Sequence, residues 1–314
     1  MKGLGLNGCQ VADFNFDDRL SFYESASVPD GDGHLVKAFD VQGAVRLANQ
    51  SLLSVVYSYW PDVIIVVSGF YVAPDVFGLL KDRGHKLVML HTESPYEDDK
   101  QLERAVLCDV NVLNDPTNID RFPPGSMYLP HAYDPDVHRP TGDVGPASDF
   151  CMVGTGYPSR VEFLETVDWS GLNVALAGNW DILADDSPLL PFLVHAKDEC
   201  LPNVQATNLY RATKSSANLY RRETTADGSA DGWAMGPREV ELAATGCFYL
   251  TEERGENREV LPMVPTFDGP ADFSEKLRWW LGHDRERERV AALARLAVAD
   301  RTFEANARRL LEAL

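Results

Sequence analysis

The sequence has no apolar run long enough to cross a membrane: the longest, around residues 63–67, is strand-sized, and a spanning helix needs roughly 18–20 residues. Its start, MKGLGLNGCQVADFNF, holds no apolar stretch followed by a cleavage site, so no secretory leader is expected. Cysteine is sparse and scattered (Cys9, Cys108, Cys151, Cys200, Cys247), odd in number and without a CxxC pair. This argues against a disulfide framework and for reduced, mostly buried thiols in a cytoplasmic protein. There is no HExxH, no GxSxG elbow and no GxGxxG behind an expected strand. A basic cluster of the nucleic-acid type is also missing: residues 221–223 (RRE) and 285–289 (RERER) are short and carry Glu. With a net charge of −19 the chain repels polyanions, so nucleic acid is disfavoured as a partner. A small phosphorylated ligand is not.

What is present is an alternation of strand and helix signals. The 314 residues suffice for two domains, and 45% hydrophobic with 25% charged residues is ordinary for a globular chain. QVADFNF (residues 10–16) reads as a strand, and residues 17–35, rich in Gly, Asp and polar residues, as largely loop. Val45, Leu47, Leu52, Leu53, Val56, Tyr57 and Trp60 recur at helical spacing, which predicts a helix over 41–60. VIIVVSG (63–69) and KLVMLHTE (86–93) read as strands covered on both faces, with a helix over 74–83 between them. A helix over 97–108 and a strand over 110–114 follow. Repeated β-α units imply a mostly parallel, doubly wound sheet.

Residues 123–149 are rich in Pro, Gly and Asp and read as a connection holding one short strand, 127–129. A domain boundary is expected at residues 145–146. The pattern then restarts with a strand and Gly turn (149–156), a helix (157–169) and a strand (172–180). Residues 181–203 are irregular, interrupted by Pro188, Pro191 and Pro202. A helix through 209–213 leads to a strand over 216–221 and a flexible loop over 224–235. Three helices, over 271–281, 285–299 and 302–314, close the chain. At the other end, KGLGLNG is a poor strand and reads as the tail of a helix. Either the gene start is displaced or the first domain lacks its first strand; a very short strand over 4–6 is the alternative.

Residues 236–251, GPREVELAATGCFYLT, contain a complete local unit. Pro237 suits the first helical position, Gly246 suits a left-handed C-terminus, and CFYL reads as a buried strand. Arg238 and Glu241 lie one turn apart where the helix dipole favours an anion. One reading is an i,i+3 surface ion pair. The other is a diphosphate site at Arg238 with hydroxyls on Glu241. Topology favours the second, because ligands of two-domain α/β proteins collect at the carboxyl ends of strands, in the cleft between domains. His91, Glu93, His131, Gly154–Thr155–Gly156, Asn179, Trp180, Asn218 and Arg221 fall at or near such ends. Gly154 to Gly156 form a βα turn in which backbone N–H groups can approach a phosphate, supported by Arg160 one turn on. Trp180 reads either as a nucleobase platform or as a core residue. No strong metal site stands out. The triplets Asp30–Asp32 and Asp134–Asp136 read as turns, although His131 and His138 flank the second and a hard metal there is the alternative.

An ordered set of motifs resembles a known family: YLPHAYDPDVHRP (128–140), DFCMVGTGYPSRVEFL (149–164), NLYRATKSSANLYR (208–221) and GPREVELAATGCFYLTE (236–252). The final helices fit too. Residues 60–314 resemble glycosyltransferases of the GT-B architecture, specifically the CgeB/YkvP-type, spore-protein glycosyltransferase-like family. The resemblance implies two Rossmann-like doubly wound domains facing across a cleft, an N-terminal acceptor-side domain (1–145) and a C-terminal donor domain (146–300). It implies a terminal helix (301–314) packing back toward the first. The donor, a nucleoside-diphosphate sugar and a UDP-sugar by expectation, would lie on Gly154, Thr155, Gly156, Arg160, Asn179, Trp180, Asn218, Arg221 and Arg238, with its ribose hydroxyls on Glu241. Many relatives carry a second Glu eight residues before the equivalent of Glu241; here that position is Trp233. The implied activity is hexosyl transfer to a protein or small-molecule acceptor without metal or other cofactor. For an inverting reaction His131 or Glu93 would be the base. The alternatives are a non-catalytic nucleotide-sugar-binding or regulatory protein of the same fold, and a sugar-nucleotide epimerase.

Overall fold

The alternation of strand and helix builds two separate parallel sheets in a computed structural model that describes residues 1–140, 147–223 and 231–314. The chain divides into two units: residues 1–114, 118–128 and Leu314 form one, and residues 115–117 and 129–313 the other. The domain switch expected at 145–146, and residues 224–230 of the expected loop, lie outside the described residues.

The first unit begins with α1 (Lys2–Leu6), α2 (Phe16–Glu24) and an antiparallel hairpin of β1 (Ser27–Pro29) and β2 (Leu35–Lys37). It continues through α3 (Val41–Tyr59), β3 (Val63–Val67), α4 (Pro74–Asp82), β4 (Lys86–His91), α5 (Asp98–Ala105), β5 (Val110–Leu113) and β6 (Met127–Tyr128). Its sheet has the order β3-β4-β5-β6, all parallel. Among the described residues, none before Val63 enters that sheet. Two expectations are corrected here. Residues 10–16 are not a strand; instead the Asn15 side chain accepts the N–H groups of Asp17 (3.1 Å) and Asp18 (3.3 Å) and starts α2. Residues 17–35 are not largely loop, because α2 and the hairpin occupy them. The hairpin turn is folded by Asp30 Oδ1, which accepts N–H groups from Asp32 (2.9 Å) and His34 (2.8 Å). The first DxD triplet is therefore a turn. Val56, Val76, Phe77, Leu80, Leu87 and Met89 make the core.

The second unit runs β7 (Ser148–Val153), α6 (Pro158–Thr166), β8 (Val174–Ala177), α7 (Asn203–Arg211), β9 (Thr213–Asn218), α8 (Pro237–Thr245) and β10 (Tyr249–Thr251). Helices α9 (Gly255–Val260), α10 (Gly269–Leu281), α11 (Asp284–Ala297) and α12 (Phe303–Glu312) complete it. The sheet order is β10-β9-β7-β8, again all parallel. Alternate residues of β7 feed two cores. Cys151 and Val153 pack with Val240 and Ala243 of α8, while Phe150 and Met152 pack with Leu164 of α6 and Phe273 and Leu277 of α10. Burial on both faces explains why residues 150–153 of this strand are all apolar. The strand expected over 216–221 ends earlier, at Asn218, because its partner β10 ends opposite it at Thr251. Tyr220 then turns its N–H to the Glu252 carboxylate (2.6 Å). Pro237 opens α8 and Gly246 ends it at φ +77°, as read, while the strand read from Cys247 begins two residues later, at Tyr249.

Candidate functional site

The carboxyl ends of β7, β9 and β10 converge on the start of α8, as a parallel sheet requires. Arg238, in the first turn of α8, donates Nε–H to Val153 O at the end of β7 (2.8 Å) and reaches Asn218 Oδ1 at the end of β9 with Nη1 (3.4 Å). Its guanidinium lies over Gly154 so closely that a Cβ there would fall on Nη2, and Arg160 Nη1 is 3.3 Å from the same point. Arg160, on α6, is buried and donates to Thr155 O (2.5 Å) and Leu219 O (2.6 Å), while its Nε has no partner among the described residues. Burial, reinforced by the neighbouring Arg238 charge, lowers the Arg160 pKa to about 9. Two guanidinium groups thus meet at one glycine, and neither is ion-paired to a carboxylate among the described residues. In a chain of net charge −19 such a pair is a strong local attractor for a small anion.

The βα turn works differently from its expected role as a set of phosphate-facing N–H groups. Gly154 N–H already donates to Ala177 O (2.9 Å) and Gly156 N–H to Asn179 O (2.7 Å). The glycines are needed for close approach instead: Gly154 admits Arg238, and a Cβ on Gly156 would lie 2.5 Å from the Trp180 ring. At the start of α6 the Ser159 N–H is held by the Glu223 carboxylate (2.9 Å). Trp180 is fully buried and donates Nε1–H to Ala177 O (2.9 Å). Its ring belongs to the core with Met152 and Leu176, which corrects the nucleobase-platform reading. Asn179 caps its own turn through Asp181 N–H (3.0 Å). Arg221 stands over one aromatic ring with Arg160: their guanidinium carbons are 5.1 and 5.3 Å from the Tyr157 centroid.

Glu241, one turn beyond Arg238, has a side chain 24% exposed, and its Oε1 lies 3.8 Å from His138 Nε2, too far for a hydrogen bond. Burial pushes its carboxyl up to about 7, opposed by the Arg238 charge. His138 is lowered by burial, so the imidazole is neutral near pH 7. An unfolded glutamate titrates near ~4.3, so the native state binds the extra proton between those values. The stability contributed by this group is present below about pH 4 and is lost as the pH rises through about 7. Hydroxyls that donate to the ionised carboxylate reverse this by pulling the pKa down. A ligand whose hydroxyls donate to Glu241 would therefore release a proton near neutrality on binding and bind more tightly as the pH rises from about 6 to 8. Calorimetry in buffers of different ionisation enthalpy measures that release, and Glu241→Gln should remove it.

Several participants escaped the sequence reading. Glu239, fully buried, accepts from Gly236 N–H (2.9 Å), Thr251 Oγ1 (3.0 Å), Asn257 Nδ2 (3.2 Å) and the Tyr220 hydroxyl. Desolvation raises its pKa. The available signal was its place three residues after the helix cap, where a glutamate reaches back to the cap N–H. Asp115 and Arg254 had no local signal; they meet only through the fold, at 3.8 Å. Of the acid–base candidates, Glu93 lies in the first unit, where its N–H donates to Gln101 Oε1 (3.0 Å). His131 lies in the second, near Asp115, Arg301 and Arg254. Burial lowers it to about 4, only partly offset by Asp115, which makes it neutral and weakly basic at pH 7. Asp134 Oδ1 accepts Asp136 N–H (2.9 Å), so the second DxD triplet also folds a turn.

Residues 160–312 match a family model described as glycosyl transferase-like. No curated protein matches. Among solved structures the chain is similar to sucrose-phosphate synthase from Thermosynechococcus elongatus, at 10% identity and a TM-score of 0.61, covering 90% of this chain and 80% of that one. It is similar to a UDP-forming α,α-trehalose-phosphate synthase from Burkholderia xenovorans, at 12% identity and a TM-score of 0.57, covering 88% and 80%. It is similar to the N-terminal domain of trehalose-6-phosphate phosphatase from Candida albicans, at 10% identity and a TM-score of 0.55, covering 87% and 75%. At these identities the likeness shows the fold: two Rossmann-like α/β units of the GT-B kind.

Proposed function

We propose, from the match of residues 160–312 to a glycosyl transferase-like family, that the second unit binds a nucleoside-diphosphate sugar and that the chain transfers the sugar to a protein or small-molecule acceptor. The single observation that carries this reading is the pair Arg160 and Arg238 meeting over Gly154 at a strand end, one turn from a raised, part-exposed Glu241. Positive charge held in place before the reaction stabilises a departing diphosphate, and the pair supplies it from side chains alone. We therefore read the transfer as metal-free. Glu241 would take the ribose hydroxyls, and Arg221 and Asn218 would border the phosphates. Uridine as the base draws support from a structural neighbour named as UDP-forming. The CgeB/YkvP type is our finer reading of the motifs, and His131 or Glu93 remains the base for an inverting reaction. Cytoplasmic location is part of the same reading; no helix among the described residues is long and apolar enough to cross a membrane.

The test is thermal denaturation against UDP-, GDP- and dTDP-sugars, followed by donor consumption with and without acceptors. A ligand at 100 times its dissociation constant adds about 2.7 kcal/mol of stability, so a UDP-sugar should raise the melting temperature by several degrees. If no nucleotide does so, the reading falls. A second reading, nucleotide-sugar binding without turnover, is favoured by Trp233, which stands where many members of the resembled family carry a glutamate. Binding without consumption of any donor would select it.

A further inference from the structure

The chain enters α8 along residues 233–236, which lie in neither helix nor strand. Backbone of this kind ordinarily gives its N–H groups to water. Here each is taken by a different side chain. Trp233 N–H donates to Thr117 Oγ1 (2.9 Å), Ala234 N–H to Asp115 Oδ2 (2.9 Å), Met235 N–H to Glu256 Oε2 (2.7 Å) and Gly236 N–H to Glu239 Oε2 (2.9 Å). Asp115, Glu256 and Glu239 are 1%, 2% and 0% exposed. Their other oxygens are engaged as well. Asp115 Oδ1 accepts the Thr117 N–H (2.8 Å) and hydroxyl (2.5 Å), and Glu256 Oε1 pairs with Arg301 (2.7 Å). Arg254 braces the same stretch, donating to Ala234 O (3.0 Å) while its guanidinium carbon sits 3.7 Å from the Tyr220 ring centroid. Gly232 permits the approach, since a Cβ there would fall on Asp115 and Arg254.

Burying a carboxylate is costly, and three of them on three successive amides call for a reason in what that stretch carries. It carries the start of α8 and, two residues on, Arg238. We infer that Thr117, Asp115 and Glu256 are positioning residues that hold residues 233–236 as a rigid rail. The rail sets the Arg238 guanidinium and the Glu241 carboxylate for the diphosphate and hydroxyls of a nucleotide. Fixing a site before the ligand arrives removes the ordering cost from binding. The inference rests on the donor reading above. Thr117 and Asp115 come from the connection between β5 and β6, over a hundred residues earlier in the chain, although they belong to the same unit as α8.

Two measurements test it. Hydrogen exchange on the ligand-free protein should show the amides of residues 233–236 protected like those of β7; loop-like exchange overturns the rail. UDP affinity, measured well below the melting temperature, should then follow the rail. Thr117→Val, which removes one acceptor at constant shape, lowers it by about fivefold, Thr117→Ser restores it, and Asp115→Asn lowers it by about tenfold. A melting temperature that falls while UDP affinity stays unchanged in Thr117→Val and Asp115→Asn assigns these residues to folding alone and overturns the proposal. A wild type that binds no nucleotide overturns the donor reading, and with it this assignment, whereas failure of the variants alone leaves the donor reading standing.

Discussion

Replacing Arg238 with alanine is expected to weaken UDP binding by roughly 10- to 150-fold, the effect of losing a hydrogen bond to a charged group worth about 1.5–3 kcal/mol. Arg238 is one of two guanidinium groups over Gly154, and the other cannot substitute for it. Arg160 is anchored by the carbonyls of Thr155 and Leu219, which hold its fork in place. Arg238→Ala also strips Val153 O of its donor, at a cost of about 1–3 kcal/mol if water does not replace it. Melting temperature must therefore be recorded beside calorimetric affinity. Arg238→Lys separates the two contributions, because it keeps the charge but loses the planar fork that spans Val153 O and Asn218 Oδ1. It should bind UDP at an intermediate level. Unchanged affinity in Arg238→Ala removes the diphosphate from this position.

The largest effect on stability is expected at Trp180. Its ring is fully buried among Met152, Leu164 and Leu176 and packs against the bare Cα of Gly156. Trp180→Ala should destabilise the second unit by about 3–5 kcal/mol, the range for deleting a large buried aromatic. For a unit of this size that corresponds to roughly 8–15 °C in melting temperature. Trp180→Leu keeps most of the apolar volume and should cost less, leaving UDP affinity within about threefold wherever the protein remains folded. A uridine-specific loss of affinity at unchanged stability would return the ring to the role of a base platform.

Much of this fold was legible before the structure. LVML of β4 is apolar because this inner strand is buried on both faces, whereas VIIVV, read the same way, forms the edge strand β3 and stays part-exposed, with Val67 60% exposed; the Gly-Pro start and Gly246 stop of α8 are local chemistry. What misled was also local. QVADFNF reads like a strand, yet Asn15 sits where its side chain can cap a helix, and no strand among the described residues pairs with this stretch. The strand through Tyr220 was read too long because nothing in SANLYR signals that its partner ends opposite Asn218.

The sequence by itself determined the two α/β units and the helix that presents Arg238 and Glu241 one turn apart. These follow from periodicity and capping, which act over a few residues. Only the tertiary structure decided that Arg160 meets Arg238 over Gly154, that Trp180 is core, that the glycine N–H groups of the turn are already bonded, and that Asp115 holds Ala234. Each of these depends on which atoms approach within about 3 Å across distant parts of the chain, where close packing and the pairing of buried polar groups choose the partner.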